Sequence, residues 1–447
     1  MRCGIMPAVY KTLRNEYAGV SIVELAKNFG GTPVFVYDAD VIKKRCEALK
    51  AFGTVRFAQK ACPNLAILKL VREQGVKVDA VSAGEILRAL TVGYDPKDIA
   101  YTADIFDRDA LELVADRAFG CVVNVGSIDM ISQLANRLGE RAKGFKLTLR
   151  VNPGFGHGHS KQTNTGGPLS KHGIWWESVQ EALDAAELYG MVVNGLHMHI
   201  GSGSDFEHLA NVSGAMEKLA LKVGPQIETI SCGGGIPTPY RTGAEYFDVP
   251  RYTRIWRDTI ERIENAFGHK VELETEPGRY IVADSACLIT EIRAVKRQAS
   301  NLFYLVDAGF THLARPMLYG SYHPIAIAYN PENGIPEETE EREVVVAGPL
   351  CESGDVFTQE TETIRELDPT TGKEEEVEGG KIVVKRRLPA ARVGDYLLLD
   401  VAGAYGAAMS SNYNSKFLAP EVLVENGAAR LVRSRQTFEH MIANEIF

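Results

Sequence analysis

The chain has 447 residues, 45% of them hydrophobic and 24% charged, with a formal net charge of −9. That length holds two or three domains around a sizeable core, and the acidic, well-mixed charge argues against a nucleic-acid partner bound through its phosphates. No apolar run is long enough to span a bilayer and the first residues lack a signal-type stretch, while seven scattered cysteines without a Cys-x-x-Cys pair read as reduced thiols of a cytoplasmic protein with no structural zinc.

Taken in chain order, residues 33–38 (PVFVYD) form a first strand, so about the first 35 residues are expected to stand apart as an N-terminal segment packing with a later β-domain. Strands are then predicted at 55–60, 76–81, 99–102, 121–125, 146–151, 193–199, 227–231 and 271–275. Amphipathic helical patterns lie between them, at 65–74, 84–91, 108–118, 128–138, 178–189, 208–223 and 252–267. Eight strands joined by single helices is the count of a closed (β/α)8 barrel, with connections of crossover length. The rival, an open doubly wound sheet, would need a G-x-G-x-x-G after its first strand, and none occurs there. The expected fold is therefore α/β, a TIM-type barrel over residues 36–285 followed by a β-domain over 286–447. In that second part, residues 343–347, 381–384 and 396–401 read as strands without intervening helices. Two acidic stretches, 331–342 and 359–380, read as solvated loops or a hairpin insertion.

A barrel of this kind gathers its active site at the C-terminal ends of its strands. The first strand ends on Lys60 in RFAQKACPN, and the second in VDAVSAGE, which offers Asp79 and Ser82. The fifth runs into RVNPGFGHGH, the sixth ends in HMHIGSGSD, the seventh in SCGGGIP and the eighth in ETEPGR. A desolvated lysine forms an imine with an aldehyde, although a strand lysine taken alone is usually a solvated charge, so Lys60 draws its meaning from its neighbours. Gly233, Gly234 and Gly235 remove Cβ atoms where a backbone must approach a phosphate, and Gly201, Ser202 and Gly203 add a hydroxyl donor; a glycine triplet alone could equally be a tight turn. Glu276 suits a hydrogen bond to a protonated pyridine nitrogen, or else a plain surface pair with Arg279. His197 and His199 point to one face of their strand, a spacing that invites a metal-hydrolase reading. That reading is disfavoured because the pair sits on the sixth strand and no other strand end supplies a matching His or Asp set, so no metal is expected. Instead, His199 is expected to lie flat against a cofactor ring while His197 packs or hydrogen-bonds below it, and His157 and His159 read as loop residues.

The set FAQKA, HIGSG, CGGGIP, EPGRYIV, RPMLYGSYH, GPLCESGD and GAYGAAMSSNYN resembles the fold-type III pyridoxal-phosphate decarboxylases, whose barrel is of the alanine racemase type. Within them the chain is most similar to the diaminopimelate decarboxylase family, over nearly its whole length and in the family's motif order. The resemblance implies pyridoxal 5'-phosphate as cofactor and Lys60 as the Schiff-base lysine. It implies His199 against the cofactor ring, and Ser202, Gly233, Gly234, Gly235 and the turn from Glu276 through Gly278 to Arg279 around the phosphate. Glu276 would pair with the pyridine nitrogen and Tyr405 would touch both cofactor and substrate. Arg279, Arg315, Tyr319 and Glu352 would bind the substrate's distal carboxylate and amine. Cys351 would reprotonate the α-carbon from the partner subunit of a head-to-tail homodimer.

A carboxylate at Glu276, in place of the arginine of racemases on the same barrel, favours decarboxylation. A substrate with two amino-acid ends needs a cation for its distal carboxylate and an anion for its ammonium, which Arg279, Arg315 and Glu352 supply. Decarboxylases of ornithine, arginine or carboxynorspermidine are the alternative, but those for ornithine or arginine typically carry aspartate after the cysteine. A non-catalytic pyridoxal-phosphate carrier would lack the second domain, and an inactive regulator would have lost Lys60, His199 or Glu276. Two departures stand out: FAQKA where YAVKA is more usual, and Lys171-His172-Gly173 where many relatives have Lys-Phe-Gly.

Overall fold

The computed structural model describes residues 7–158, 163–336, 339–367 and 374–446. Residues 159–162 of the GFGHGHSKQTNTGG loop, 337–338 and 368–373 of the two acidic stretches, and the first six residues of the N-terminal segment lie outside the described residues. The chain forms two compact units, one of Lys43–Thr238 with Phe247–Ile281, the other of Met1–Ile42 with Pro239–Tyr246 and Val282–Phe447. Among the described residues no helix is long and apolar enough to cross a membrane.

The first unit is a closed barrel of eight parallel strands: β1 (Thr54–Ala58), β2 (Lys77–Ala80), β3 (Ile99–Ala103), β4 (Val122–Val125), β5 (Lys146–Asn152), β6 (Val192–His197), β7 (Thr229–Ser231) and β8 (Glu272–Thr275). Each pairs with its neighbour, and the circle closes where β8 pairs β1 through Glu274 and Thr54. The predicted barrel is thus present, every strand overlapping its expected run. Several helices between strands start on side-chain caps: Asn64, Ser82, Asp107, Asp205 and Asp248 each accept a backbone N–H of the first turn. Strand residues alternate between two environments. Val55, Phe57, Val78, Val123, Leu147, Leu149, Leu196, Ile230 and Leu273 are buried and apolar. The alternate positions are buried too, but polar: Arg56, Asp79, Thr102, Asn124, Thr148, Arg150, His197, Ser231 and Glu274. Several of these bond across neighbouring strands, as Asn124 Nδ2 does to Thr102 Oγ1 at 2.7 Å. Arg56 and Glu274 form a buried bidentate pair at 2.7 and 2.8 Å. One face therefore packs apolar residues, while the other carries paired polar groups that lead up to the chemistry.

The second unit is built on a nine-stranded sheet. Its long strand Ala286–Gln298 pairs with Val34–Asp38, Asn301–Val306 and Tyr396–Leu399, so the strand 33–38 expected ahead of the barrel lies in this sheet. Its core brings Ile22 and Leu25 against Val34, Val36, Cys287, Ile289, Leu398 and Val422. The N-terminal segment is bonded here as well: Arg14 N donates to Ile327 O at 2.9 Å, and Ile327 N to Thr12 O at 2.8 Å. The second acidic stretch is a two-stranded hairpin, Gln359–Leu367 with Glu374–Val383, which pairs with no other strand among the described residues.

Candidate active site

Strand β1 ends at Ala58, and a single 3-10 turn, Gln59–Ala61, follows. Gln59 and Ala61 are fully buried while Lys60 between them is exposed, so the lysine is presented by a turn rather than desolvated within a strand. Gln59, the unusual residue of FAQKA, has a definite job: its Nε2 donates to Glu85 O at 3.0 Å and ties this turn to the next β/α unit. The positive charge of Lys60 is felt by Asp79, Glu85 and His199, which places its amine among the polar groups at the C-terminal ends of the strands.

Strands β6 and β8 supply the next layer. His197 Nε2 donates to Glu276 Oε2 at 2.8 Å, and Ser231 Oγ donates to Glu276 Oε1 at 2.8 Å, all three residues buried. Burial alone would raise the Glu276 pKa, but His197, Ser231 and Arg56 outweigh it and bring it down to about 2. Glu276 is therefore a fixed carboxylate, and its partners are His197 and Ser231 rather than the Arg279 pair considered from the sequence. His199, two residues beyond His197, is kept neutral: burial, with the charges of Lys60 and Arg150, holds its pKa well below the usual histidine range.

The glycine loops close over this layer. Gly233 has φ +63°, and a Cβ there would lie 2.5 Å from Met198 O; one on Gly234 would strike Glu276 O. Gly235 has φ +97° and packs against Gly201 O. The triplet is thus demanded by the protein's own backbone packing, before any phosphate is considered. The Gly233 N–H is given to Ser231 Oγ at 3.2 Å. Arg279, buried, donates from Nε and Nη2 to Ser202 Oγ at 3.2 and 3.0 Å. Two N–H groups of one guanidinium thus fix the position of the Ser202 oxygen. Gly278 packs against Ala58 and Ala61, locking the EPGR turn onto the turn that carries Lys60.

Pyridoxal phosphate needs an amine for its aldehyde, donors for its phosphate, a neutral flat face for its ring and an anion for its pyridine nitrogen. Lys60, Ser202 with the glycine loops, His199 and Glu276 meet these needs, and His199 Nδ1 is a buried ring nitrogen without a partner among the described residues. The residues fit the group.

Three residues here carry roles that pattern reading missed. Asp79 is buried with Oδ1 unpartnered, and burial plus the Glu276 charge push its pKa up to about 7. A carboxyl whose folded pKa lies above its unfolded value loses stability as pH rises between the two. Asp79→Asn should therefore stabilise the cofactor-stripped protein, with a gain in Tm that grows from about pH 4 to 7 and then levels, read by thermal melts across that range. Asp104 accepts from His172 Nδ1 at 2.5 Å and from Gly173 N at 2.8 Å, with Arg150 Nη1 at 3.9 Å. That pairing explains His172, where a phenylalanine would leave Asp104 without this partner. His157, read as a loop residue, stacks on His208 with ring centroids 4.0 Å apart, and His208 bonds Asp205 at 2.7 Å.

The remaining candidates belong to the second unit. Arg315 is buried at the start of the helix Arg315–Tyr319, and Tyr319 O accepts from Thr361 Oγ1 at 3.2 Å. Cys351 and Glu352 are exposed neighbours of one short segment: Cys351 Sγ donates to Asn414 Oδ1 at 3.3 Å, and Tyr413 OH to Glu352 Oε1 at 2.5 Å. The hydrogen bond to Glu352 pushes the Tyr413 phenol up to about 12. Tyr413 and Asn414 come from the SSNYN motif, which was visible in the sequence although its partners were not. Tyr405 is half-buried and takes a left-handed φ of 59°, uncommon for a tyrosine.

Comparison with known proteins extends this picture to the whole chain. Residues 38–283 match the pyridoxal binding domain of the pyridoxal-dependent decarboxylases. The diaminopimelate decarboxylase of Escherichia coli strain K12 is 48% identical over 445 residues, covering 99% of this chain and 100% of its own. That of Streptomyces coelicolor is 46% identical over 420 residues, covering 93% and 90%. A crystal structure of diaminopimelate decarboxylase superposes with a TM-score of 0.86 at 50% identity, covering 95% of this chain and 96% of that one. The Helicobacter pylori diaminopimelate decarboxylase, solved with L-lysine, gives 0.81 at 27% identity, covering 95% and 99%.

Proposed function

This chain belongs to the pyridoxal-dependent decarboxylases, and on that premise we propose that it converts meso-2,6-diaminopimelate to L-lysine and carbon dioxide, the last step of lysine biosynthesis. It is an enzyme, and its cofactor is pyridoxal phosphate. The observation that carries the choice of reaction is the buried Glu276, held ionised by His197 and Ser231. Bound pyridoxal phosphate supplies an electron-poor ring that takes up the electron pair left when carbon dioxide departs. Glu276 would keep the ring nitrogen protonated, and His199 would lie against the ring without adding charge. Lys60 would hold the aldehyde carbon, and Ser202 with Gly233, Gly234, Gly235 and Gly278 would frame the phosphate.

Substrate would be read by Arg279, Arg315, Tyr319 and Tyr405, with Glu352 taking the distal ammonium. Cys351 would return a proton to the α-carbon as general acid. Exposure of Cys351 and Glu352 supports their serving the site of a partner subunit in a head-to-tail homodimer, and cysteines without a disulfide among the described residues support a cytoplasmic setting. Full-length likeness to diaminopimelate decarboxylases favours that substrate over ornithine or arginine. Steady-state assays should show kcat/KM for meso-diaminopimelate above that for ornithine, lysine and arginine by about a thousandfold or more, since a site built for polar groups rejects analogues lacking them. A preference for ornithine would replace the substrate named here.

A further inference from the structure

Arg315 is 1% exposed, and what aims its guanidinium is written into the same RPMLYGSYH segment. Its Nη1 lies 2.9 Å from His323 Nε2, and its guanidinium carbon sits 4.9 Å from the centre of the Tyr240 ring. Tyr240 and His323 meet edge to face, centroids 5.6 Å apart at 83°. On its far side, His323 Nδ1 lies 2.8 Å from Asp400 O. Asp400 is itself anchored, its N–H on Pro324 O at 2.9 Å and its carboxylate on Arg14 at 2.5 Å.

A guanidinium only donates and a carbonyl only accepts. Nε2 of His323 must therefore accept and Nδ1 must carry the proton, which defines one neutral tautomer between two fixed partners. We propose that His323 is a positioning residue: a neutral imidazole, locked with its proton on Nδ1, that aims Arg315 at the distal carboxylate of the substrate. A carboxylate partner would hold the guanidinium equally well but would place negative charge where the substrate must bring its own. The imidazole gives direction without that charge, and Tyr240 fixes the plane. The inference rests on the reading of Arg315 as the carboxylate ligand.

Kinetics of the holoenzyme on meso-diaminopimelate separate the two. His323→Phe, which keeps the bulk and removes the acceptor, should raise KM about ten- to a hundredfold with kcat held within about threefold. His323→Gln, which retains an acceptor, should recover most of that loss. Arg315→Gln should raise KM at least as far. If Arg315→Gln leaves KM unchanged, the reading of Arg315 falls; if it raises KM while His323→Phe does not, the inference alone falls. A kcat that falls as far as KM rises would make His323 merely structural and overturn it. Should His323→Phe not fold, 15N spectra of the parent imidazole decide: a neutral ring with its proton on Nδ1 upholds the inference, and a protonated or Nε2–H ring overturns it.

Discussion

Lys60→Ala should yield a folded protein whose decarboxylation of meso-diaminopimelate is slower by about a thousandfold or more, because no other group can replace a covalent amine. Folding should survive because the side chain is exposed between two buried neighbours, Gln59 and Ala61, and exposed positions of this kind change stability by about 0.5 kcal/mol or less. Removing the charge also has a direction. Lys60 lowers the pKa values of Asp79 and His199, so both should rise in the variant. Three measurements belong together: the rate of carbon dioxide release, the melting temperature, and the visible absorption of a lysine imine. A variant that keeps the parent's rate would take Lys60 out of the mechanism, and one that loses the rate along with the fold would say nothing of chemistry, which is why the melt is needed.

Glu276→Gln should lower kcat by about a hundredfold, the scale found when one preorganised electrostatic group is removed from a reacting centre. The substitution keeps the shape and removes the charge that holds the ring nitrogen protonated. It also disturbs the layer beneath. His197 Nε2 and Ser231 Oγ both donate to the carboxylate, and an amide keeps an acceptor oxygen for only one of them, so the other donor loses its acceptor. A mismatch of that kind costs about 1–3 kcal/mol. Its pH dependence has a fixed sign. The Glu276 pKa falls from its usual 4.5 to about 2 on folding, so the carboxylate contributes stability above about pH 4.5 and loses it as pH drops towards 2. The melting temperatures of parent and variant should therefore be furthest apart near neutrality and converge in acid. A constant gap down to the lowest pH would mean that the carboxylate is not held ionised by its neighbours.

The barrel was legible because its strands announce themselves locally, each a short β-rich run such as 99–102 followed by a helical pattern. The chemistry at the strand ends was legible for the same reason, since Lys60, His199, Glu276 and the glycine loops stand at predictable places on predicted strands. What the sequence hid is pairing across the fold. Arg56 and Glu274 are 218 positions apart, and Asp104 and His172 are 68 apart, so no periodicity links them. Gly233 looked like a phosphate loop for its lack of a side chain, yet Met198 O already forbids one there. Lys60 was placed at a strand end, but the ladder stops at Ala58 and a turn takes over. His323 stood in plain view within RPMLYGSYH; its value depends on a carbonyl 77 positions away.

The buried pair of Arg56 and Glu274 has a consequence for how such a barrel can change over generations. Losing either partner alone strands a charge in the interior, at a penalty of about 3–5 kcal/mol, a large share of the 5–15 kcal/mol that typically holds a protein folded. Exchanging both for apolar residues of similar volume can be nearly neutral. The two positions are thus joined by a valley: each replacement is tolerable in the company of the other and ruinous by itself. Lineages that cross it must do so in one step or from a background with stability to spare, and so the floor of the barrel resists drift for a reason that has nothing to do with touching the substrate.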